Sequence, residues 1–187
     1  REIATYEREI GPLCAIVSDK DACTTTLVEA LAKARPPVKV ALLRILQAVG
    51  SAGALQAVRG AVDDANKDVH AAAVRVICDW KSADAASVLL ELATRSSEAV
   101  DRTLALRGYL GMAMQKGVSP QQKLAICKAA APLIQREEEK RMLLGAVTGL
   151  AHAEALNLIV AYLDDPAVKR EAVATVLALL DRAVQPT

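Results

Sequence analysis

The segment that decides the fold is Asp63-Asp64-Ala65-Asn66-Lys67-Asp68-Val69-His70-Ala71-Ala72-Ala73-Val74, because a similar segment occurs again near the end of the chain. The second copy is Asp164-Asp165-Pro166-Ala167-Val168-Lys169-Arg170-Glu171-Ala172-Val173. Both have an acidic turn, then an apolar anchor residue, a basic or imidazole residue, and an Ala-Val pair. Self-similarity of this kind is typical of repeat architectures. The chain is therefore predicted to be an array of one recurring helical unit.

Other helix starts resemble these two segments. Val38 follows Pro36-Pro37, Val100 follows Ser96-Ser97-Glu98, and Glu139 begins the weakest copy, with Glu in place of the apolar anchor. The predicted anchors are therefore Val38, Val69, Val100, Glu139 and Val168. Intervals of about 30 residues, with a longer one before Glu139, are typical of two short helices joined by two tight turns.

The composition favours an all-α chain. Hydrophobic residues make up 53% of the sequence, but aromatic residues only 2%, and Phe is absent. The core must therefore be built from Ala, Leu, Val and Ile, and the abundance of Ala and Leu favours helices. Apolar runs between the anchors predict the partner helices, at 54–62, 85–93, 122–134 and 155–163.

The acidic turn and the Val-basic-x-x-Ala pattern resemble HEAT repeats, particularly the short bacterial HEAT-like type seen in phycobilin lyases. The resemblance covers residues 36–183. It implies a right-handed α-solenoid, a superhelix of about five helical hairpins, in which the helices that begin at the anchors line the concave side. Residues 1–35 are predicted to form an N-terminal capping hairpin, and residues 36–187 one continuous solenoid.

The first and last helices of the chain are expected to play different roles. The first helix, from about Ile3 to Val17, is predicted to seal the core with one apolar stripe, formed by Ile3, Tyr6, Ile10, Leu13 and Val17. The last helix is apolar on every side from Ala172 to Leu180, so we expect this end to continue into more chain or to associate with another subunit. Because the sequence begins at Arg1 with neither an initiator Met nor a signal peptide, it is expected to be a piece of a longer protein.

The cysteines do not form a recognisable metal site. Cys14, Cys23, Cys78 and Cys127 include no CxxC pair and have no histidine at ligand spacing, so they are predicted to be mostly buried thiols. Cys14 and Cys23 flank a predicted turn, and a disulfide between them is left open; it would imply an oxidising compartment.

No constellation of catalytic residues is present in the sequence. The two histidines, His70 and His152, lie in different repeats, so neither supports a nucleophile–base pair. The pairs Asp63-Asp64 and Asp164-Asp165 recur at one repeat position and are predicted to cap the following helix. Scattered glycines form no phosphate-binding loop. The chain is therefore predicted not to be an enzyme and to hold no cofactor or metal.

The sequence favours a protein-interaction scaffold that binds its partner on the concave face. The 23 basic and 22 acidic residues give a net charge of +1, so no global field attracts nucleic acid or membranes, and no apolar run is long enough to span a bilayer. Mixed charges instead recur on the helices predicted to line that face. The residues predicted to contact a partner are Lys39, Arg44, His70, Arg75, Asp101, Arg102, Arg107 and Lys140.

Two other functions remain open at this point. The resemblance to lyase-type HEAT-like proteins implies a prosthetic group, such as a tetrapyrrole, cradled by the array. Binding of nucleic acid along a basic ridge is the other alternative, but the chain has only Trp80 and three tyrosines, Tyr6, Tyr109 and Tyr162, to stack on bases. Trp80 itself is predicted to be a packing residue at the end of its helix.

Overall fold

The computed structural model of the chain describes residues 10, 12–14, 16, 18–150 and 152–184, and the side chains of these residues up to 181. Within these ranges the fold is all-α and contains no strand, as predicted. The chain divides into two compact units, Arg1–Leu89 and Leu90–Thr187, which we describe separately. No described helix is both long and apolar enough to cross a membrane.

Helices of two kinds alternate along the chain. Those that begin at the repeated motif, here called A helices, are α2 (Pro36–Val49), α4 (Lys67–Cys78), α6 (Ala99–Ala113), α8 (Glu137–Val147) and α10 (Lys169–Val184). Their partners, the B helices, are α1 (Lys20–Lys33), α3 (Ala52–Gly60), α5 (Ala85–Arg95), α7 (Pro120–Ala130) and α9 (Ala153–Val160). A 3-10 turn follows α3 at Ala61–Asp63, and another follows α7 at Ala131–Leu133. Each described unit is thus a succession of helical hairpins, the local arrangement of an α-solenoid.

Short capping motifs begin and end the helices. The Ser51 hydroxyl accepts a hydrogen bond from the Ala54 N–H at the start of α3, and Ser119 forms a capping box with Gln122 at the start of α7. Gly50 follows α2 with a φ of 66°, a conformation in which a side chain would be strained.

In each unit the A helices pack on one another and on their B partners. The helices α2 and α4 are in direct contact in the first unit, with Leu46 and Val69 fully buried. In the second unit α6 contacts α7 and α8, and α8 contacts α10; Leu110 and Leu143 are fully buried there. The cores consist almost entirely of aliphatic side chains, as the composition predicts.

The aromatic side chains belong mainly to the core. Trp80, just after α4, is only 3% exposed, which confirms its predicted packing role. Tyr109 on α6 is likewise buried, and burial raises the pKa of its phenol. Neither ring is available as a surface on which a base or a flat prosthetic group would stack.

The sequence-based register of α6 is wrong by one residue. Val100, the predicted anchor, is 67% exposed, whereas Asp101 is only 6% exposed and stands third in its helix. Val38, Val69 and Glu139 also stand third in theirs. Asp101 therefore occupies the anchor position and Arg102 the basic position that follows it. The error arose because Val100, next to Asp101, matched the apolar anchor of the best copies.

The described part of the first helix also faces differently from the prediction. Ile10 and Leu13, expected on the buried stripe, are exposed, and the buried residue is Cys14. Its small thiol packs against Ile45 and Val49 of α2. Ile3, Tyr6 and Val17, the other members of the predicted stripe, lie outside the described residues.

The last A helix, α10, has an apolar exterior, as predicted for residues 172–180. Ala172 and Leu179 are buried, whereas Val173, Leu177 and Leu180 are exposed on its surface. Association of this surface with a further subunit or segment stays a prediction.

Candidate functional site

The fourth residue of four A helices is basic or imidazole. These residues are Lys39 on α2, His70 on α4, Arg102 on α6 and Lys140 on α8. All four belong to the predicted partner-contact set, and all four are half-buried. Their partners within the chain therefore decide what each one can offer to another molecule.

Lys39 reaches forward to the turn before the next A helix. Its Nζ lies 2.6 Å from Oδ2 of Asp64. The other carboxylate oxygen of Asp64, Oδ1, accepts the Asn66 N–H at 2.9 Å. The hydrogen bond from Lys39, and after it the one from Asn66, lower the pKa of the Asp64 carboxyl. The ion pair thus links two successive hairpins of the first unit.

The same arrangement occurs in the second unit. Lys140 Nζ lies 2.5 Å from Asp165 Oδ2, and Asp165 Oδ1 accepts the Ala167 N–H at 3.0 Å. The hydrogen bond between the two side chains lowers the pKa of Asp165 and raises that of Lys140. We call these two ion pairs the clasps. In both, lysine and aspartate are 25 residues apart.

The clasps correct the predicted role of the acidic pairs. The side chain that caps α4 belongs to Asn66, whose Oδ1 accepts the N–H groups of Asp68 and Val69. Asp64 instead accepts the Asn66 N–H within the turn and pairs with Lys39 in the clasp. Sequence reasoning recognised that the pairs recur, but not that the second acid of each pair has a lysine partner one hairpin earlier.

His70 and Arg102 reach backward, to the turn before their own helix. The Nδ1 atom of His70 lies 2.5 Å from the Val62 carbonyl oxygen. Arg102 donates from Nη1 to the carbonyl oxygens of Ser96 at 2.7 Å and Ser97 at 3.0 Å. His70 thus binds the backbone of the turn that precedes its helix.

A clasp needs a carboxylate at one particular position of the turn before the next A helix. Asp64, Ile134 and Asp165 each donate their own N–H to the carbonyl oxygen three residues earlier, at 3.2, 3.4 and 3.2 Å. The three residues therefore occupy equivalent positions in their turns. At Ile134, after α6 and α7, the chain supplies no carboxylate.

The anchor positions of α6 and α8 are occupied by buried acids. Oε2 of Glu139 accepts the N–H groups of Gln135 at 3.3 Å and Arg136 at 3.2 Å. The Ser96 hydroxyl donates to Asp101 Oδ2 at 3.3 Å. These acids bind the turns that begin their own helices, so Glu139 is a capping residue and not merely a weak copy of Val.

The second, fifth and ninth residues of each A helix share an exposed face, because they fall on one side of a helix with 3.6 residues per turn. Arg44 and Arg75 are the ninth residues of α2 and α4, and both are exposed. Arg107 is the ninth residue of α6. Its Nη2 lies 3.3 Å from Glu138 Oε2, and its Nε lies 3.9 Å from Glu139 Oε1.

Further ion pairs continue along this face of the second unit. Arg141 on α8 lies 2.5 Å from Glu137 and 3.0 Å from Glu171. In the second unit this face therefore carries charges of both signs. Exposed ion pairs of this kind contribute little to stability, because solvent screens them.

One cavity in each unit lies beside a fourth-position cation. In the first unit a cavity of about 230 Å³ is lined by apolar residues of α1 and α3 and by the clasp Lys39–Asp64. In the second a cavity of about 290 Å³ lies beside Arg102, with Arg136, Gln135 and Glu139 also in its wall. The second cavity has no clasp, and its wall is the more polar.

Comparison with known proteins finds one family similarity. A family model described as HEAT repeats matches residues 24–109. This segment of the chain is therefore similar to HEAT repeats. The match begins within α1, inside the segment predicted as a capping hairpin. No curated protein and no solved structure matches the chain. The finer resemblance to phycobilin lyases stays a prediction.

HEAT repeats commonly serve as scaffolds for protein–protein interaction, and the family is typically non-catalytic. Within the described residues, no three His, Cys, Asp or Glu side chains are grouped as metal ligands. His152 accepts the Glu154 N–H and caps α9.

The four cysteines of the chain are free thiols. Cys14 and Cys23 do meet, as the hairpin geometry suggests, but without a disulfide. Burial, and then the contact with Cys23, raise the pKa of Cys14. Burial raises the pKa of Cys127 to about 11, so this thiol is not a nucleophile at neutral pH.

Proposed function

We propose that this protein is a non-catalytic protein-interaction module that binds its partner on the exposed face of the A helices. One observation carries the proposal: Arg44 and Arg75 stand at the same position of α2 and α4, two helices in direct contact, and both side chains are exposed. The repeats thus place two exposed cations at equivalent positions of neighbouring helices. Arginine is also among the residues enriched in protein interfaces.

The remaining predicted contact residues differ in what they bind. Lys39, His70, Asp101 and Lys140 bind other parts of the chain, so they support the surface more than they form it. Arg107 lies on the exposed face, where its pair with Glu138 is accessible to a partner. We therefore place the contact surface at the ninth position of the A helices, supported by these four residues, whereas Arg102 lines a separate cavity.

Photo-crosslinking tests this proposal. With p-benzoylphenylalanine in place of Arg75, expression in the native host should yield a discrete protein adduct. The matched control carries the same probe in place of Lys33, an exposed cation on the B helix α1 of the same unit. The adduct at position 75 should be lost when Arg44 is changed to Glu, because charge reversal beside the probe disrupts the contact. Equal adducts at both positions, or none at position 75, would overturn the proposal.

A further inference from the structure

We propose that the cavity beside Arg102 binds a carboxylate carried by an acidic segment of a partner protein. The two fourth-position lysines show that a basic residue here can bind a carboxylate, because Lys39 pairs with Asp64 and Lys140 pairs with Asp165. At Arg102 the corresponding turn residue is Ile134. Its φ and ψ of −74° and 121° are close to the −66° and 132° of Asp64, so the backbone is arranged alike and only the acid is missing.

Arg102 is held in place for such a ligand. Two backbone carbonyls, of Ser96 and Ser97, accept hydrogen bonds from its Nη1. No described carboxylate forms an ion pair with the guanidinium, and its Nη2 makes no hydrogen bond to the described residues. A guanidinium binds a carboxylate in a fixed planar geometry, and one that is already oriented loses little freedom on binding.

The charges around the cavity favour an anion. Arg136, exposed at the start of α8, adds a second cation to the wall. Glu139 is the one acid in the described wall, and its Oε2 is already engaged by two backbone N–H groups. Two arginines and one glutamate give these groups a net charge of +1, so the wall attracts an anion.

The size of the cavity and its place in the array favour a side chain of a protein over a free metabolite. About 290 Å³ is at the lower limit for small-molecule sites, which typically enclose about 300–1,000 Å³. That volume accommodates one acidic side chain with its neighbouring backbone. The identity of the ligand as a protein segment rests on the function proposed above, whereas its carboxylate chemistry rests on Arg102 and the clasps alone.

Titration with short peptides tests the inference on the full chain. The side-chain Nε–Hε resonance of Arg102 is followed by NMR while the capped peptide acetyl-Ala-Glu-Glu-Ala-amide is added, and the isosteric Gln-Gln peptide serves as its control. The acidic peptide should give a saturable shift and bind about tenfold or more tightly than the amide peptide. Arg136→Ala, at an exposed site, should weaken binding without altering the fold, and Lys33→Ala should leave binding unchanged.

Several outcomes would overturn the inference. Equal binding of the two peptides would show that charge is not recognised. Glutarate or inorganic phosphate binding as tightly as the acidic peptide would assign the cavity to a small anion. The peptide titration is independent of the crosslinking experiment, because crosslinking probes Arg75 in the other unit. A saturable titration without any adduct at position 75 would support the carboxylate site and overturn the proposed interaction face.

Discussion

Trp80→Ala should lower the free energy of unfolding by about 3–5 kcal/mol, the usual cost of removing a buried aromatic side chain. Trp80 is 3% exposed and lies just after α4, where its backbone N–H donates a hydrogen bond to the Ile77 carbonyl oxygen. Deletion of the ring leaves a cavity that the surrounding aliphatic side chains fill only in part. Because this is the only tryptophan of the chain, unfolding must be followed by circular dichroism.

The control for this prediction is Trp80→Phe, which keeps an aromatic ring in the core and should cost clearly less. Unfolding of Trp80→Ala at the same denaturant concentration as the wild-type chain would contradict the packing role. It would instead favour a surface role for the ring, such as the stacking on a base or a prosthetic group that the sequence left open.

Glu139→Val should destabilise the chain by about 1–3 kcal/mol, although Val is the residue that the repeat pattern favours at this position. Glu139 is 2% exposed and accepts the N–H groups of Gln135 and Arg136. Valine preserves the burial but offers no acceptor. The Nε atom of Arg107, which is buried and has no hydrogen-bond partner among the described residues, also loses the Glu139 carboxylate that lies 3.9 Å away.

Urea unfolding measures this effect, and Glu139→Gln is the matched variant. Glutamine keeps an acceptor oxygen at the same place, so it should retain part of the stability that valine loses. If valine proved neutral or stabilising, Glu139 would be a degenerate anchor, as the sequence alone suggested, and not a capping residue.

The hairpin architecture was predictable from the sequence because it depends on features that are local or periodic. Two segments with an acidic turn, an apolar anchor and an Ala-Val pair establish the repeat, and the composition establishes the helices. The boundary at Ser119 and the packing role of Trp80 follow from equally simple chemistry. These features need no knowledge of which side chains meet across hairpins.

The candidate site was predictable only in part, because it depends on contacts between hairpins. Lys39 and Lys140 were recognised as basic residues of the A helices, but their acidic partners lie one hairpin further along. The equal spacing of the two pairs was present in the sequence, and a search for recurring opposite charges would have found it. The buried Asp101 was not predictable, since an acid at an anchor position contradicts the apolar pattern used to find it.

Our central claim is that a carboxylate on the turn residue forms an ion pair with the basic residue at the fourth position of the A helix one hairpin earlier. Ile134→Asp tests it by placing a carboxylate at the turn position that corresponds to Asp64 and Asp165. Its effect on the free energy of unfolding should be more favourable by about 0.2–1 kcal/mol in the chain with Arg102 than in the Arg102→Ala chain, as for other ion pairs at a partly exposed site. An identical effect of Ile134→Asp in both backgrounds would contradict the claim.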